Sequence, residues 1–600
     1  MSKFGLANSG HRTGRPASGR PALLAVLLVL AMVLAGCTGI PTSGPVEEVN
    51  PSAVDGGAPA VDIEPAEPVP GGDPDAILAG FLTAVLSSNP NRYTVARDYL
   101  TPQAAENWDP SSGVTVYSSD GTASIVTDKS AVLKVPVIGR IDTDGHYTAV
   151  ADSAFSHNFD MERDSDGQWR INNPGTGIFV SQDGFQRSYR AVPVYFFNRA
   201  LDRLVVENLY MNWGDATPTS AVAGLLRGPS AWLSPAALTV IPPQTKLAVL
   251  SVAVQDGVAQ VSLTGPASGL TDTQQVQLAA QLWWTLQGFT GITGLRIDVE
   301  GQPMSVPGQD AAGVVRASTV GDYRPIMTTP SPNAFGIVKG GGIVQLDAAP
   351  GVDPQPVPGP LGVGNWGDVP LRLAVGADGT SLAMTSATAL WVGSTTNGQA
   401  PQKRLEAPSL TQPQIDDAGV WVISGGPVPI LHLVKGDATI VSVKLSELAG
   451  AHIIAFRVAP DQTRIAVLAH IGQADVLGLL RITSTSPLKA GGWRQLFVET
   501  GRGPLASCLD VGWLSPSRLV VVASAAKDAS VAAYRLDVDA AVVENIGPVG
   551  GDTPAAVSVQ PRVEGSSTYV VTAGGTVLRY EDRTRWTPLA SGILAVAQAG

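Results

Sequence analysis

Residues 458–482 read VAPDQTRIAVLAHIGQADVLGLLRI, and this unit indicates how the carboxyl-terminal half of the chain folds. Two runs rich in Val, Ile and Leu are separated by Gly and Gln, and a Pro-Asp pair precedes the first run, as is typical of β-strands joined by turns. Related units are VGADGTSLAMTSATALWVG (375–393) and LSPSRLVVVASAAKDASVAAYRLDV (514–538). The recurrence of this strand–turn–strand unit predicts an architecture of repeated β-sheets.

The spacing of the units indicates which repeat architecture this is. Weaker copies begin near Ile415 and Val559, and another lies around Phe335. Units anchored at residues 375, 415, 458, 514 and 559 are separated by 40, 43, 56 and 45 residues. A period of about 40–45 residues with four short strands is the length of a propeller blade. Residues 325–600 are therefore predicted to form a β-propeller of about six blades, or seven if a strand is borrowed. A β-sandwich with accidental repetition is the alternative.

Residues 73–186 predict a smaller α+β domain. Helical stretches occur at 76–88 and 93–101, and in the first of them apolar residues recur at helical spacing. β-like runs around Asp-Gly turns follow at 114–126, 131–141 and 161–171. Short helices followed by antiparallel strands resemble an NTF2-like cone, a fold in which many members have pockets and many others are structural.

Residues 190–302 predict a second α+β domain. A strand hairpin is expected from AVPVYFFN (191–198) and LDRLVVENLYM (201–211), and a helix is expected to end at Gly228-Pro229. A further pair of strands turns at Asp256-Gly257, and Thr271 with Gln274 matches a capping box for a second helix. A closing strand is expected at 292–303.

This segment resembles the GerMN domain of spore-germination and cell-envelope proteins. The residues that carry the resemblance are Leu226-Arg227-Gly228-Pro229, Ile241-Pro242-Pro243, Asp256-Gly257-Val258, Thr285-Leu286 and Val299-Glu300-Gly301. GerMN domains are regarded as envelope interaction modules, and the matching positions include no known catalytic residue. The resemblance therefore implies a binding role and assigns no site.

Residues 1–36 have the pattern of a lipoprotein signal peptide. Four basic residues and no acidic residue accompany a 14-residue apolar run at 22–35, which is about 21 Å long as a helix and too short to cross a bilayer. The run ends in the bacterial lipobox Leu34-Ala35-Gly36-Cys37. Cleavage before Cys37, with S-diacylglycerol and N-acyl modification of this residue, would hold the protein to the extracytoplasmic face of the cell membrane. An ordinary signal peptide with a chance cysteine, or an uncleaved anchor, is the alternative.

After the lipidated cysteine, the composition predicts a disordered tether at 37–72. Positions 38–72 hold seven Pro, six Gly and six acidic residues without Lys or Arg, so they cannot bury enough apolar surface to fold. The whole chain has 39 basic and 51 acidic residues and a net charge of −12, which argues against nucleic acid as a partner. No other apolar run reaches 18 residues, so no membrane-spanning helix is predicted. Because Cys37 is predicted to be acylated, Cys508 has no partner for a disulfide.

Local motifs predict no catalytic, cofactor-binding or metal-binding residue. GVGNWG (362–367) fits a dinucleotide fingerprint but lies among prolines with no helix expected, so we interpret it as a loop. The run Glu162–Gly167 imitates an EF-hand loop, yet the twelfth position is Asn173 instead of a bidentate carboxylate. No zinc-spaced histidines and no nucleophile elbow occur. The chain is therefore expected not to be an enzyme, although carboxylate pairs distant in sequence stay possible.

Taken together, the lipobox, the tether, the NTF2-like region, the GerMN-like segment and the terminal propeller resemble the LpqB family of actinobacterial lipoproteins over the full mature chain. The resemblance implies an accessory protein of the MtrAB two-component system, which contacts the extracytoplasmic part of the sensor kinase MtrB and modulates signalling in envelope homeostasis and division. A wall glycan- or peptide-binding module, a cryptic wall hydrolase and a pure scaffold are the alternatives.

Overall fold

Three domains follow one another along the chain, of which the computed structural model describes residues 64–119, 123–127, 130–152, 154–325, 334–347, 349–364, 366–526, 528–548, 554–559, 568–582 and 585–598. The predicted signal peptide, the lipobox with Cys37 and residues 38–63 of the predicted tether lie outside the described residues. All described residues belong to one unit of mutual contacts.

The N-terminal domain contains both helices and strands. Its helices are α1 (Pro74–Ala84), α2 (Arg92–Arg97), α3 (Pro102–Asn107) and α4 (Gln182–Ser188). Its strands are β1 (Val114–Tyr117), β2 (Ala123–Thr127), β3 (Ser130–Lys134), β4 (Val137–Ile141), β5 (Tyr147–Asp152), β6 (Ser156–Asn158), β7 (Met161–Arg163), β8 (Trp169–Ile171) and β9 (Ile178–Ser181). They form sheets in the orders β5-β4-β1-β9, β2-β3-β6 and β7-β8.

Helix α1 begins at a strong cap and packs on these sheets. The Asp73 carboxylate accepts a hydrogen bond from the Ala76 amide at 2.9 Å, and Pro74 is the first helical residue. The helix lies against β2, β3 and β8, and its residues Ile77 and Phe81 are buried. The domain is thus α+β, as the change from helical to alternating periodicity predicts.

The end of the predicted tether contacts this domain. Pro65 is buried, and the Ala66 carbonyl accepts a hydrogen bond from the Tyr99 hydroxyl at 2.9 Å. The Gly71 amide donates to the Gln168 side chain at 2.5 Å. The described chain therefore already packs on the N-terminal domain before residue 73, where the sequence predicts that domain to begin. Local composition does not indicate this packing, because the partners of these residues are distant in the sequence.

The middle domain consists of two small sheets and two helices. Its elements are β10 (Tyr189–Asn198), β11 (Leu204–Asn212), α5 (Pro218–Arg227), β12 (Ala237–Leu238), β13 (Ala253–Gln255), β14 (Val258–Leu263), α6 (Asp272–Leu286), β15 (Gly294–Val299) and β16 (Gln302–Pro303). The sheet orders are β11-β10-β12 and β13-β14-β15-β16. β14 and β15 pair in parallel because α6 carries the chain back across the sheet.

The residues that resemble GerMN build turns and caps in this domain. Gly228 ends α5 with a φ of 86°, and Asp256-Gly257 turns β13 into β14 with φ values of 51° and 76°. A Cβ on Gly257 would lie 2.8 Å from Thr293 Oγ1, so both the backbone and the space require glycine. The predicted capping box of Thr271 is present at the start of α6. These positions therefore specify the fold of the middle domain.

The middle domain continues past residue 302. Val306, Val315 and Val320 are buried in its apolar core, and Val315 forms a β-bridge with Leu295. The ring of Tyr323 packs edge-on against Phe197 at 5.3 Å between centroids. The segment after the closing strand is therefore a part of this core.

The propeller follows as a series of short strands. They are β17 (Ala334–Val338), β18 (Ile343–Leu346), β19 (Gln355–Pro356), β20 (Arg372–Val375), β21 (Ser381–Thr385), β22 (Ala389–Ser394), β23 (Gln402–Glu406), β24 (Gln414–Asp416), β25 (Gly419–Ser424), β26 (Ile430–Val434), β27 (Ile440–Lys444), β28 (His452–Val458), β29 (Arg464–Ile471), β30 (Ala474–Thr485), β31 (Leu488–Leu496), β32 (Glu499–Thr500), β33 (Gly503–Ser515), β34 (Arg518–Ala525), β35 (Asp528–Asp537), β36 (Val543–Pro548), β37 (Pro554–Val559), β38 (Thr568–Thr572), β39 (Val577–Asp582), β40 (Arg585–Ala590) and β41 (Ile593–Gln598).

Within the described residues these strands form six antiparallel sheets, which are the blades. In chain order the blades are β41 with β17–β19, then β20–β23, β24–β27, β28–β31, β32–β36 and β37–β40. β41 pairs with β17, so the carboxyl-terminal strand closes the ring in the first blade. The borrowed strand therefore completes the first blade, and the described residues form six blades instead of seven.

Both faces of each blade are apolar, which is why the sheets must stack. Along β25, Trp421 faces the core shared with the fourth blade, whereas Val422 faces the core shared with the second blade. Along β34, Val521 and Val520 divide in the same way between two neighbouring cores. Alternate residues of one strand thus enter different interblade cores.

The repeated turn also has a local cause. Asp378 Oδ1 accepts backbone hydrogen bonds from Thr380 and Ser381 at 2.8 and 2.9 Å, and Asp461 Oδ1 accepts one from Thr463 at 2.8 Å. Such aspartate turns stabilise the tight connection between the first two strands of a blade.

Near the first blade, GVGNWG contains the end of a four-residue helix, α7 (Pro360–Val363). The expectation that no helix lies here was wrong, but α7 ends at Gly364 (φ 74°), whereas a dinucleotide site requires a helix that begins there. A Cβ on Gly362 would clash with the Val357 carbonyl. The glycines therefore permit close packing. No helix within the described ranges is long and apolar enough to span a bilayer.

Candidate functional site at the junction of the three domains

Trp232 of the middle domain is held by three residues of the propeller. Trp232 Nε1 donates to the Gly492 carbonyl at 2.9 Å, and Arg481 Nη1 donates to the Trp232 carbonyl at 2.6 Å. The guanidinium of Arg494 lies 4.3 Å from the centre of the Trp232 ring. Cation–π contact and hydrogen bonds therefore attach the middle domain to the fourth blade.

A second contact of the middle domain with the propeller is a buried ion pair and its neighbours. Arg464 is paired with Asp461, and the side chains of both are almost fully buried. Arg464 also donates to the carbonyls of Val206 at 3.2 Å and Pro516 at 2.9 Å. Because the guanidinium bonds the middle domain and two parts of the propeller, it fixes their relative position.

The third contact is a buried group of three oxygens. Tyr210, on β11, places its hydroxyl 2.8 Å from Asp537 Oδ2 and 2.9 Å from Asp539 Oδ1. A phenol donates only one hydrogen bond. Both contacts are hydrogen bonds only when one carboxyl carries a proton, and Asp537 is the one that has a cation, Arg518, at 3.3 Å. Protonated Asp539 can therefore donate to Tyr210, which donates to ionised Asp537.

The electrostatics agree with this assignment of the proton. Burial and the charge of Asp537 raise the pKa of Asp539 to about 7. Burial also raises the pKa of Asp537, although Arg518 opposes this effect, and burial raises the pKa of Tyr210 well above its usual value. The group thus retains an acidic proton near neutral pH.

The N-terminal domain reaches the same place from the other side. The Tyr210 amide donates to the Gly145 carbonyl at 2.8 Å, and the Tyr210 ring lies 5.7 Å from that of Tyr147. Arg227 Nε lies 3.0 Å from Asp144 Oδ1. Tyr210 therefore contacts all three domains, and one apolar core runs through it from the N-terminal domain to the propeller.

Between these contacts lies a cleft of about 210 Å³, which we call the junction cleft. It is lined by residues of all three domains. They are Asp142, His146, Tyr147, Thr148, Glu207, Asn208, Ser230, Ala231, Trp232, Leu233, Arg464, Arg494, Val538 and Asp539.

Two titratable side chains of the cleft interact across the interface of the first two domains. His146 Nε2 lies 3.6 Å from Glu207 Oε2, which also accepts the Ser230 amide at 2.9 Å. Burial lowers the pKa of His146, but the carboxylates of Glu207 and Asp142 outweigh it and the pKa is raised. Burial raises the pKa of Glu207, but His146 and Ser230 outweigh it and the pKa is lowered. Both groups therefore favour their charged forms.

The sequence motifs that were considered as possible sites have structural roles wherever the structure describes them. Asp164 accepts the amides of Asp166 and Gln168 in the β7–β8 turn and pairs with Arg170 at 3.2 Å, so the EF-hand imitation is a hairpin. In the described ranges no group of three or more His, Cys, Asp or Glu side chains could hold a metal ion. The lipobox Leu34, Ala35, Gly36 and Cys37 lies outside the described residues. Burial raises the pKa of the Cys508 thiol to about 12.

Sequence reasoning did not find the residues of the junction cleft. Trp232 and Arg494 belong to different domains, and neither lies in a recognisable motif. The available signal was indirect: Asp537 ends the apolar strand β35 and Asp539 follows two residues later, and unpaired acids are unfavourable where they are buried.

An apolar loop of the middle domain is exposed to solvent. Val249 and Leu250 are 54% and 88% exposed, and Val254 on the edge strand β13 is 42% exposed. The loop is held at both ends, because Leu247 bridges Leu263 and the Val252 amide donates to the side chain of Thr219 at 2.9 Å. We call residues 249–254 the apolar loop.

Family models match three parts of the chain. "Lipoprotein LpqB, N-terminal domain" matches residues 67–186, "Sporulation and spore germination" matches 193–305, and "Lipoprotein LpqB beta-propeller domain" matches 341–595. The last two matches confirm the GerMN-like domain and the propeller of the expected fold class.

Curated relatives match over almost the whole length. Lipoprotein LpqB of Cutibacterium acnes is 30% identical over 595 residues, which cover 96% of this chain and 99% of that protein. Lipoprotein LpqB of Thermobifida fusca is 27% identical, with coverages of 94% and 96%.

Solved structures are more distant. TolB from Acinetobacter baumannii is 13% identical, covers 70% of this chain and 90% of its own, and has a TM-score of 0.34. The tandem GerMN domains of GerM from Bacillus subtilis are 16% identical, with coverages of 22% and 47% and a TM-score of 0.16. No functional conclusion follows from these two similarities.

Proposed function

Because the chain belongs to the LpqB family of lipoproteins, we propose that it is a lipid-anchored, extracytoplasmic binding protein and not an enzyme. Cys37, at the end of the lipobox, is the proposed attachment point for membrane lipid. The observation that carries the proposal is the joining of three domains by buried polar contacts centred on Tyr210. Such a body presents fixed surfaces to a partner, and fixed surfaces reduce the entropy that binding costs.

The proposed partner is the extracytoplasmic domain of the sensor kinase MtrB, and the proposed role is modulation of MtrAB signalling in envelope homeostasis and division. This partner is implied by the family resemblance described above. The apolar loop supports a protein partner, because exposed apolar patches mark interaction sites. Leu250, at 88% exposure, is the side chain in the loop that gains most from being covered.

Co-purification with the native kinase tests this proposal. Leu250→Asp should reduce recovery of the kinase, because it puts a charge in the apolar contact. Ser251→Asp is the matched control, since it adds the same charge at an exposed neighbouring position and removes no apolar surface. Equal recovery with wild type and Leu250→Asp would exclude the loop, and no recovery with the wild type after cross-linking in cells would exclude the partner.

The lipid anchor requires its own experiment. Cys37→Ala should move the protein from the membrane fraction to the soluble fraction of the envelope or block its processing. A Cys508→Ala variant is the control, because this residue is buried in the propeller core. Membrane recovery of Cys37→Ala with an unchanged mature mass would refute lipidation at this position.

A second candidate function is binding of wall glycan. It is favoured by a polar cleft of about 320 Å³ on the N-terminal domain, lined by residues that include Gln103, Asn107, Asn172 and Asn173. Amide side chains both donate and accept hydrogen bonds, as neutral sugars require. Muropeptide binding that is lost in Asn107→Ala would support this function, whereas a protein that neither binds nor cleaves muropeptides would exclude it and a hydrolase activity.

A further inference from the structure

Two exposed histidines lie side by side in the fourth blade. β28 pairs with β29 so that His452 is directly opposite His470, and β29 pairs with β30 so that His470 is directly opposite Asp475. Directly paired residues point to the same face of a sheet, with Cβ atoms about 4.5–5.5 Å apart. The three side chains therefore form one row across three strands. Arg464, which contacts the middle domain, begins β29, so the row lies at the opposite end of the blade.

The carboxylate of Asp475 fixes the ring of His470. His470 Nδ1 lies 2.8 Å from Asp475 Oδ1, while Asp475 Oδ2 accepts the amide of Cys508, in the fifth blade, at 2.9 Å. Because an ionised carboxylate only accepts, His470 Nδ1 carries the hydrogen and Nε2 of the neutral ring keeps its lone pair. A histidine that binds a metal through one nitrogen almost always donates its other N–H to such a group.

The remaining histidines that the structure describes use Nε2 within the protein. In His146, His157 and His432, Nε2 lies 3.6, 3.1 and 2.9 Å from a carboxylate, a carbonyl and a hydroxyl oxygen, respectively. No group of the described residues bonds Nε2 of His470 or either ring nitrogen of His452. The two histidines whose Nε2 is unbonded are therefore the two that are cross-strand neighbours.

We propose that His452 and His470 bind one divalent transition-metal ion, with Cu²⁺ preferred to Zn²⁺. Neutral imidazole suits both ions, and the general order of divalent affinities places Cu²⁺ above Zn²⁺. The exposed, unbonded ring of His452 can turn towards its neighbour, and a shared ion would lie about 2.0–2.1 Å from each Nε2. Mg²⁺ and Ca²⁺ do not fit, because they require oxygen ligands.

Asp475 is a positioning residue for this site and not a third ligand. One of its oxygens accepts from His470 and the other from the Cys508 amide. The site therefore has two protein ligands, which agrees with the absence of a group of three or more in the described ranges. Water completes the coordination, as the 48% exposure of the His470 side chain permits.

Calorimetry and electron paramagnetic resonance with Cu²⁺ test the site in the full mature protein, purified in detergent without a histidine tag. We expect one ion per chain and the spectrum of two bound nitrogens. His452→Gln and His470→Gln should each weaken Cu²⁺ binding at least about 10-fold, because loss of a ligand costs no less than loss of its supporting group. His157→Gln is the matched control, since it removes an imidazole whose Nε2 is already bonded, and it should leave affinity unchanged.

Asp475→Asn separates positioning from a purely structural role. It should weaken Cu²⁺ binding about 10-fold and retain the spectrum of two nitrogens, whereas wild-type affinity in this variant would overturn the role of Asp475. Without metal, the urea midpoint of His452→Gln should equal that of the wild type, because this side chain is exposed and unbonded. The proposal is overturned if the wild type binds neither Cu²⁺ nor Zn²⁺ up to about 1 mM, or if either histidine variant retains wild-type affinity.

Discussion

Substitution of Tyr210 by phenylalanine is the sharpest test of how the three domains are held together. The change removes one oxygen atom and keeps the ring that packs against Tyr147 and Phe185. Asp537 and Asp539 then lose their shared partner at 2.8 and 2.9 Å. Asp537 keeps Arg518, and Asp539 keeps the Ala541 amide.

The expected cost follows from the charge and burial of these groups. A hydrogen bond to a charged group contributes about 1.5–3 kcal/mol, and an unsatisfied buried polar group costs about 1–3 kcal/mol. Because the two contacts share one phenol, we expect the free energy of unfolding to fall by about 2–4 kcal/mol. Urea denaturation followed by fluorescence and by far-UV circular dichroism measures this loss.

Tyr147→Phe is the matched control in the same aromatic cluster. Its hydroxyl forms one long hydrogen bond, to the Ile138 carbonyl at 3.3 Å, so the same chemical change should cost about 1 kcal/mol or less. If the two variants lose equal stability, the buried oxygens at Tyr210 do not contribute as argued. If Tyr210→Phe is as stable as the wild type, the contact is absent in solution.

Three further predictions test neighbouring groups. The pKa of Asp539 is raised to about 7, so the folded state holds a proton that the unfolded state releases. The resulting stabilisation is complete below pH ~4 and is lost as the pH rises through ~7. Between about pH 5.5 and about pH 8 the urea midpoint of Asp539→Asn should therefore change less than that of the wild type. Arg464→Met should cost about 3–5 kcal/mol by leaving Asp461 buried and unpaired, whereas loss of the exposed Arg535–Glu544 pair should cost about 1 kcal/mol or less in the same urea assay. Cys508, whose thiol pKa burial raises to about 12, should resist iodoacetamide at about pH 8 in the folded protein and react in urea, as peptide mass spectrometry would show.

The fold could be predicted from sequence wherever its cause is local. The propeller was recognisable because each strand carries apolar residues for two interblade cores, as Trp421 and Val422 do, and because Asp378 and Asp461 repeat one turn. The capping box at Thr271 and the turn at Asp256-Gly257 are local for the same reason. The sequence could indicate closure of the ring by β41 only as one possibility, since the pairing of Phe335 with Ala597 depends on the arrangement of all the blades.

The junction could not be predicted because its partners are brought together by the packing of whole domains. Tyr210 and Asp539 are 329 positions apart in the chain, and no periodicity connects them. The sequence did contain an indirect signal. Asp537 ends the apolar strand β35 and Asp539 follows two residues later, and both acids need hydrogen-bond donors if they are buried. The middle domain supplies that donor as Tyr210, in a strand that reads as apolar core. A pair of acids at the end of an apolar blade strand therefore marks a domain interface here and not an isolated polar site. Here Arg518 pairs with Asp537, whereas Asp539 forms no ion pair within the described residues, so a proton on Asp539 supplies the remaining charge.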